Sequence, residues 1–381
     1  MPIQPNDTLT ALPVPAAGPA AAPVVIEGTL DGLEQAWCAL YRAQPASPFL
    51  SWPWQRALHA TCLGGQRLQV VAPVAAGRPW AAASFGRGKR RAVRCLPVRT
   101  VCMNESGDPV LDRLLLEHNR PLCRPGDEAK ALGALARHLL TRRPRWDELS
   151  LGWMDEDVWR SMEPGVAGLP LTVVERGRAP YYFVDVEEGG LDGYLARLSS
   201  NTRYQIRRAL RMYGGAEAVS WSVAETPELA LAWFRDLVRL HQAYWNAKGR
   251  PGAFHHPRIR EFHTRLISDP RAREVVEMVR VEAADGPVGY LYNLRAGRNV
   301  FNYQSGFDYA GDPRRKPGLV CHALSVAEYG RRGVRRYDLL MGDSRYKRSL
   351  ATGSGQMVRI ALQRHRLRFV VERAGRWMRG F

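Results

Sequence analysis

The sequence has no pair of closely spaced cysteines. Its six, Cys38, Cys62, Cys95, Cys102, Cys123 and Cys321, are scattered over 381 residues without a CxxC among them. That argues against a disulfide scaffold or a zinc framework and points to reduced thiols in a cytoplasmic chain. No run approaches 18 apolar residues, so no transmembrane helix is expected, and the first residues lack the charged segment of a secretory signal. His241, His255, His256 and His263 match no zinc spacing, and no metal is expected. Nucleophile elbows are absent too. Cys321 and His322 are neighbours on an expected helix, where adjacent side chains point about 100° apart, so they form no dyad. Acidic residues are few: 37 Asp and Glu stand against 55 Lys and Arg, a net charge of +18. Such an excess implies an anionic partner, whether CoA, a tRNA, an anionic lipid or an acidic polysaccharide precursor. A GC-rich genome would enrich arginine without any such partner.

What is present divides the chain. Its length is too great for one ordinary core and suits two domains. Residues 1–24 are rich in Ala and Pro, and Pro13, Pro15, Pro19 and Pro23 forbid a long helix; a disordered lead-in is expected. Residues 25–176 read as an α/β half, with helices at 31–42 and from Trp54, short strands at 68–74, 80–85 and 92–98, a helix at 128–140 and a strand at 146–151. Its one cationic cluster, Arg87–Arg94, fits a hairpin tip or a ligand contact. Residues 177–365 restart with a strand at 181–186 and a single long helix at 191–213. On that helix Arg203, Arg207 and Arg211 recur every four residues and share a face. No glutamate interleaves them, which suits a phosphate or an acidic substrate, although a solvated face has the same look. A strand at 216–223, a helix at 227–248 and a three-strand meander ending near Asp308 follow. No internal repeat can be aligned.

The meander leads into Asn299–Ala351, the stretch around which the second half is organised. It reads as strand, basic turn, helix, strand, polar turn, helix. The turn stacks Arg314, Arg315 and Lys316 against the helix start at Pro317, Gly318 and Leu319. A helix N-terminus offers unpaired N–H groups and the positive end of the dipole, so this turn is expected to hold a phosphate or pyrophosphate. A solvated basic turn is the alternative.

These residues carry a resemblance. Tyr303 with Gly306-Phe307-Asp308, Pro317-Gly318, the helix with Glu328 and Gly330, Tyr337-Asp338-Leu339-Leu340 and Gly342 to Lys347 are similar to GNAT-type acyltransferases. Within these they resemble the cellulose-biosynthesis-associated (CelD-like) branch, related to the Fem peptidoglycan-bridge transferases. Leu195 to Arg208 and Ser47 to Trp54 fit the same pattern, so the likeness spans residues 25–365. It implies an α/β (α+β) fold of tandem GNAT-like domains, each a mixed, mostly antiparallel sheet flanked by helices, with a degenerate first copy. It also implies transfer of an acyl group from acyl-CoA (acetyl-CoA) to the amine of a small molecule, glycan or peptidoglycan precursor. The usual glycine-rich pyrophosphate loop is replaced by Arg314–Gly318, which leaves an aminoacyl-tRNA donor open.

Such a transfer needs a base for the amine, a polarised carbonyl and a proton for the departing thiolate. Asp308, His322 and Asp343 are the base candidates; Tyr303 and Tyr346 are the acids. A bulge at Ser305-Gly306 is expected to bring Tyr303 to Asp308. Arg203, Arg207, Tyr346 and Lys347 are candidate substrate contacts. The tail 366–381 combines arginines with apolar residues. It reads either as a peripheral anchor on an anionic inner-membrane surface or as a final helix with a basic edge.

Overall fold

Alternating apolar residues build a sheet buried on both faces. In residues 286–296, Tyr290, Tyr292 and Leu294 enter one core while Leu291 enters the other, the period-two pattern of a strand covered on both sides. The computed structural model describes residues 24–28, 30–62, 69–76, 78–92, 96–114, 116–141 and 146–377. The expected lead-in lies outside them except for Val24.

The strands are β1 (Val24–Gly28), β2 (Gln69–Ala75), β3 (Arg78–Pro79), β4 (Ala81–Ala92), β5 (Leu96–Met103), β6 (Leu122–Cys123) and β7 (Glu148–Asp155). The second half has β8 (Leu171–Asp185), β9 (Ser220–Val223), β10 (Val276–Ala283), β11 (Gly286–Ala296), β12 (Asn299–Phe307), β13 (Arg336–Met341) and β14 (Gly353–Arg364). The helices are α1 (Glu34–Ala43), α2 (Trp52–Thr61), α3 (Glu128–Thr141), α4 (Glu156–Met162), α5 (Gly190–Ala196), α6 (Ser200–Met212), α7 (Pro227–Ala247), α8 (Pro257–Ser268), α9 (Pro317–Arg331), α10 (Arg345–Leu350) and α11 (Leu367–Trp377).

Among the described residues these strands form one sheet in the order β1-β2-β4-β5-β7-β14-β8-β13-β12-β11-β10-β9, with β3 on β2 and β6 on β4. The order contains the repeat that the sequence hides. In the first half an antiparallel run ends at β5, the chain passes through α3, and β7 returns parallel to β5. In the second half the run ends at β12, the chain passes through α9, and β13 returns parallel to β12. This is a mixed sheet flanked by helices, built twice. The halves are stitched together by β14, which pairs with β7 on one side and β8 on the other. The expected boundary between residues 176 and 177 falls inside β8.

Two sequence expectations change. The helix at 191–213 is two helices, because the Ser199 hydroxyl accepts the Thr202 N–H at 3.2 Å and caps a fresh start for α6. The basic cluster from Arg87 runs along β4, paired with β5 up to Ala92 and Leu96, toward the end of that hairpin; residues 93–95 lie outside the described ones. Within it Arg90 bonds Glu148 and Glu372, an ion network joined by Arg176. That network also holds α11, the described part of the basic tail, against the sheet.

The segment after β5 fills the parting between β5 and β7 in the first half. Beyond the pair Cys102 and Ser150, β5 and β7 part. Asn119 fills the gap, its Nδ2 donating to Met103 O at 2.8 Å and Leu151 O at 2.9 Å. Its Oδ1 accepts from Asn104 at 2.8 Å. The segment then lies flat on β4: a Cβ at Gly86 would sit 2.1 Å from Ser106 O. Asn119→Ala should therefore destabilise the protein by about 2–4 kcal/mol, since it orphans two buried carbonyls and an amide. Urea unfolding measures this.

Candidate functional site

In the second half the same parting is left open. Strands β12 and β13 pair only from Asn299 and Arg336 to Phe301 and Asp338. In β12, Asn302 faces Asn293 and Gln304 faces Tyr292, leaving Tyr303 as the extra residue of a bulge. In β13, Leu340 adopts φ +63°, a left-handed conformation rare for a side chain of this size. The backbone groups thus released find side-chain partners. Asp338 Oδ1 accepts the Leu340 N–H at 2.7 Å, and Glu117 Oε2 accepts the Met341 N–H at 2.6 Å. Lys347 Nζ donates to Leu340 O at 3.2 Å and Met341 O at 2.6 Å. His118 Nε2 lies 3.2 Å from Asp338 Oδ2. The first half therefore reaches across and holds the second half's cleft apart.

A cavity of about 890 Å³ occupies the gap. Because it is lined by residues of both cores, it passes through the sheet. On the α9 face lie Asn201, Gln205, Lys316, Gly318, Leu319 and Tyr346; on the α7 and α8 face lie Leu240, His241, Phe254, Ile259 and His263. Helix α7 comes close because Gly306 has no Cβ, which would sit 2.5 Å from Leu237 O. That approach lets His241 Nδ1 meet Ser305 O at 3.0 Å. Its Nε2 accepts from the Ala253 N–H, so the proton is on Nδ1.

The electrostatics single out Glu117. Burial pushes its carboxyl up to about 7, an effect that His118, the Met341 N–H and Lys347 reduce. Burial also lowers the Lys347 ammonium, against the pull of Glu117 and Asp338. A carboxyl titrating near neutrality beside a cavity is the environment of a general base. Tyr346 lines the cavity and stacks on the His322 ring (centroids 5.9 Å, 18°). Its phenol is pushed up to about 12 by burial, so it stays protonated through neutral pH.

The predicted residues separate into two groups. Tyr303, Lys316, Gly318, Leu319, Tyr346 and Lys347 line the cavity. The others do not. Tyr303 and Asp308 do not meet, because the bulge is at Tyr303 itself and its hydroxyl donates to Leu114 O at 2.8 Å. Asp308 lies beside Arg315 and Tyr213 in a separate shallow pocket. His322 is buried behind the wall, its Nδ1 2.9 Å from the Tyr337 hydroxyl, and burial drives its pKa down to about 3. Asp343 bonds Arg348 and the Tyr182 hydroxyl. Two of the three turn cations are already paired: Arg314 with Asp312 and Arg315 with Asp285. Arg203 donates to Ala196 O and Arg207 to Asp192, so Asn201, Thr202 and Gln205 are the α6 residues at the cavity. Glu117 and His118 were missed. Their signal is a charged pair closing the apolar run Leu114–Leu116.

Residues 200–348 match the acetyltransferase (GNAT) domain family. The match holds the second-half cleft from α6 to α10. Among solved structures the chain is similar to FemX, at 10% identity and TM-score 0.57, over 88% of this chain and 96% of that one. It is also similar to L-PGS from Bacillus licheniformis, at 9% identity and TM-score 0.49, over 90% and 96% of the two chains. A tandem GNAT protein of the clavulanic acid biosynthesis pathway is similar at 12% identity and TM-score 0.44, over 89% and 97%. No curated protein matches the sequence. The fold is GNAT-like, and residues 200–348, which carry most of the cleft, match an acetyltransferase domain family. No helix among the described residues is long and apolar enough to cross a membrane.

Proposed function

We propose that this protein transfers an acyl group from a CoA thioester to an amine of an envelope or polysaccharide precursor, as a member of the cellulose-biosynthesis-associated branch. The observation that carries the reading is the held-open gap between β12 and β13, running from the N-terminus of α9 through the sheet. Lys316 and the free end of α9 suit the phosphates of the donor. Edge groups of β12, left without β13 beyond Phe301, suit its amide-rich arm. Glu117 takes the proton from the amine, whose nitrogen forms a bond to the thioester carbon. The carbon–sulfur bond breaks and Tyr346 protonates the departing thiolate. No covalent enzyme intermediate is needed.

The test is thermal stabilisation at fixed salt by acetyl-CoA, longer acyl-CoAs, free CoA and bulk tRNA, since a ligand that binds the native state raises Tm by mass action. Saturable stabilisation by acyl-CoA is expected. Lys316→Ala should weaken it about tenfold, as expected for one charge-assisted phosphate contact, and more than Arg314→Ala or Arg315→Ala does. No response to any CoA would sink the reading. The excess of positive charge supports a second donor, an aminoacyl-tRNA, with the same attack on an activated carbonyl. Stabilisation by tRNA that fades steeply with salt would favour it. Silence towards both donors would leave a non-catalytic binding protein.

A further inference from the structure

The two ends of the cavity differ in chemistry. At the α9 mouth the exposed lining residues are Asn201, Lys316, Arg345 and Tyr346. Beyond the gap, on the α7 and α8 face, the lining includes the apolar side chains of Leu114, Leu240, Phe254, Ile259 and Leu340. Leu114, Phe254, Ile259 and Leu340 are buried members of one hydrophobic core, and Leu240 packs against that core while half-exposed. The titratable groups there are Tyr303, His263, His241, Tyr244 and Arg113; both ring nitrogens of His241 are bonded, to Ser305 O and the Ala253 N–H. The Tyr303 hydroxyl is bonded to Leu114 O. His263 meets the Tyr292 hydroxyl at 3.2 Å and is held neutral, since burial drives its pKa down to about 3. Glu117 stands at the gap, not along the arm.

Five apolar side chains converging at this end make it a poor seat for the diphosphate. Apolar walls of this kind gain from an apolar occupant. A thioester whose phosphates rest at the α9 mouth and whose carbonyl lies at the gap must direct its acyl chain onward through the sheet. We propose that the arm walled by Leu114, Leu240, Phe254, Ile259 and Leu340 binds the acyl chain of the donor and selects chains longer than acetyl. The inference rests on the reading of the cavity as an acyl-CoA site and names the class of donor.

The experiment compares dissociation constants of acetyl-, butyryl-, octanoyl- and lauroyl-CoA by calorimetry on the full chain. Affinity should rise about fourfold per added methylene, the factor that corresponds to about 0.8 kcal/mol per buried CH₂, until the arm is full. Leu240→Phe narrows the arm at a half-exposed position where folding tolerates the change. It should cost the longest chain at least tenfold more affinity than it costs acetyl-CoA. Ile259→Trp, with its folding checked by circular dichroism, should do the same from α8. Equal affinity for all four thioesters, or a chain-length gain that both substitutions leave intact, overturns the inference and keeps the acyl-CoA reading. Failure of every CoA to bind overturns both.

Discussion

Replacing Glu117 by Gln should lower kcat by about 10²–10⁴-fold, the range for a lost general base, while changing the donor's KM little. The reason is geometric and electrostatic. Glu117 lines the cavity, is 4% exposed, and keeps its carboxyl near neutrality because burial disfavours the charge. Only the carboxylate accepts a proton from the attacking amine. The wild-type rate should therefore rise as pH increases through about 7, and Glu117→Gln should abolish that rise. Gln retains an oxygen for the Met341 N–H, so the cleft should keep its shape. A variant that loses activity but keeps the acid limb of the profile would move the base elsewhere. The same group has a stability signature of fixed sign. Its folded pKa is raised, so its contribution favours folding below the ordinary carboxylate range and is lost as pH climbs through about 7. Chemical denaturation across that range should show the loss in wild type and a smaller one in Glu117→Gln.

The sequence makes the α9 end of the site legible because its signals are local. Pro317-Gly318 after a basic turn marks a helix start, and the helix places Gly318 and Leu319 on the cavity. Local reading misjudges the turn cations, however. Arg315 meets Asp285, thirty residues upstream, and charge counting along the chain does not see that partner. Gly306 invites a bulge by its type, yet it serves the close approach of α7, and the extra residue is Tyr303. Glu117 escapes for a stronger reason. Its contact with Met341 spans 224 residues, and nothing near Glu117 announces that a strand end will need an acceptor. The repeat is hidden likewise: both halves share a strand order, while Asn119 fills one parting and a cavity occupies the other.

Asp338→Ala should cost about 3–5 kcal/mol, the usual penalty for removing one member of a buried, hydrogen-bonded charge pair. Asp338 is 1% exposed and serves two elements at once. Oδ1 holds the Leu340 N–H in its left-handed turn, and Oδ2 faces His118 from the first half. Burial works against the His118 cation, and the Asp338 carboxylate, with Glu117 and Asp155, more than offsets it, so the folded pKa is raised. A raised imidazole stabilises the fold fully below its unfolded value of about 6.5 and loses that contribution as pH rises through the folded value. Urea midpoints should fall over this window in wild type. Asp338→Asn keeps the cap on Leu340 but removes the anion, so it should flatten that part of the curve and still respond to acyl-CoA. Asp338→Ala loses the bond to the Leu340 N–H and the ion pair with His118. At a temperature where it remains folded, it should no longer gain stability from acyl-CoA, because β13 is then free to close on β12. If Asp338→Ala kept the full ligand response, the gap between these strands would not depend on the segment that the first half sends across.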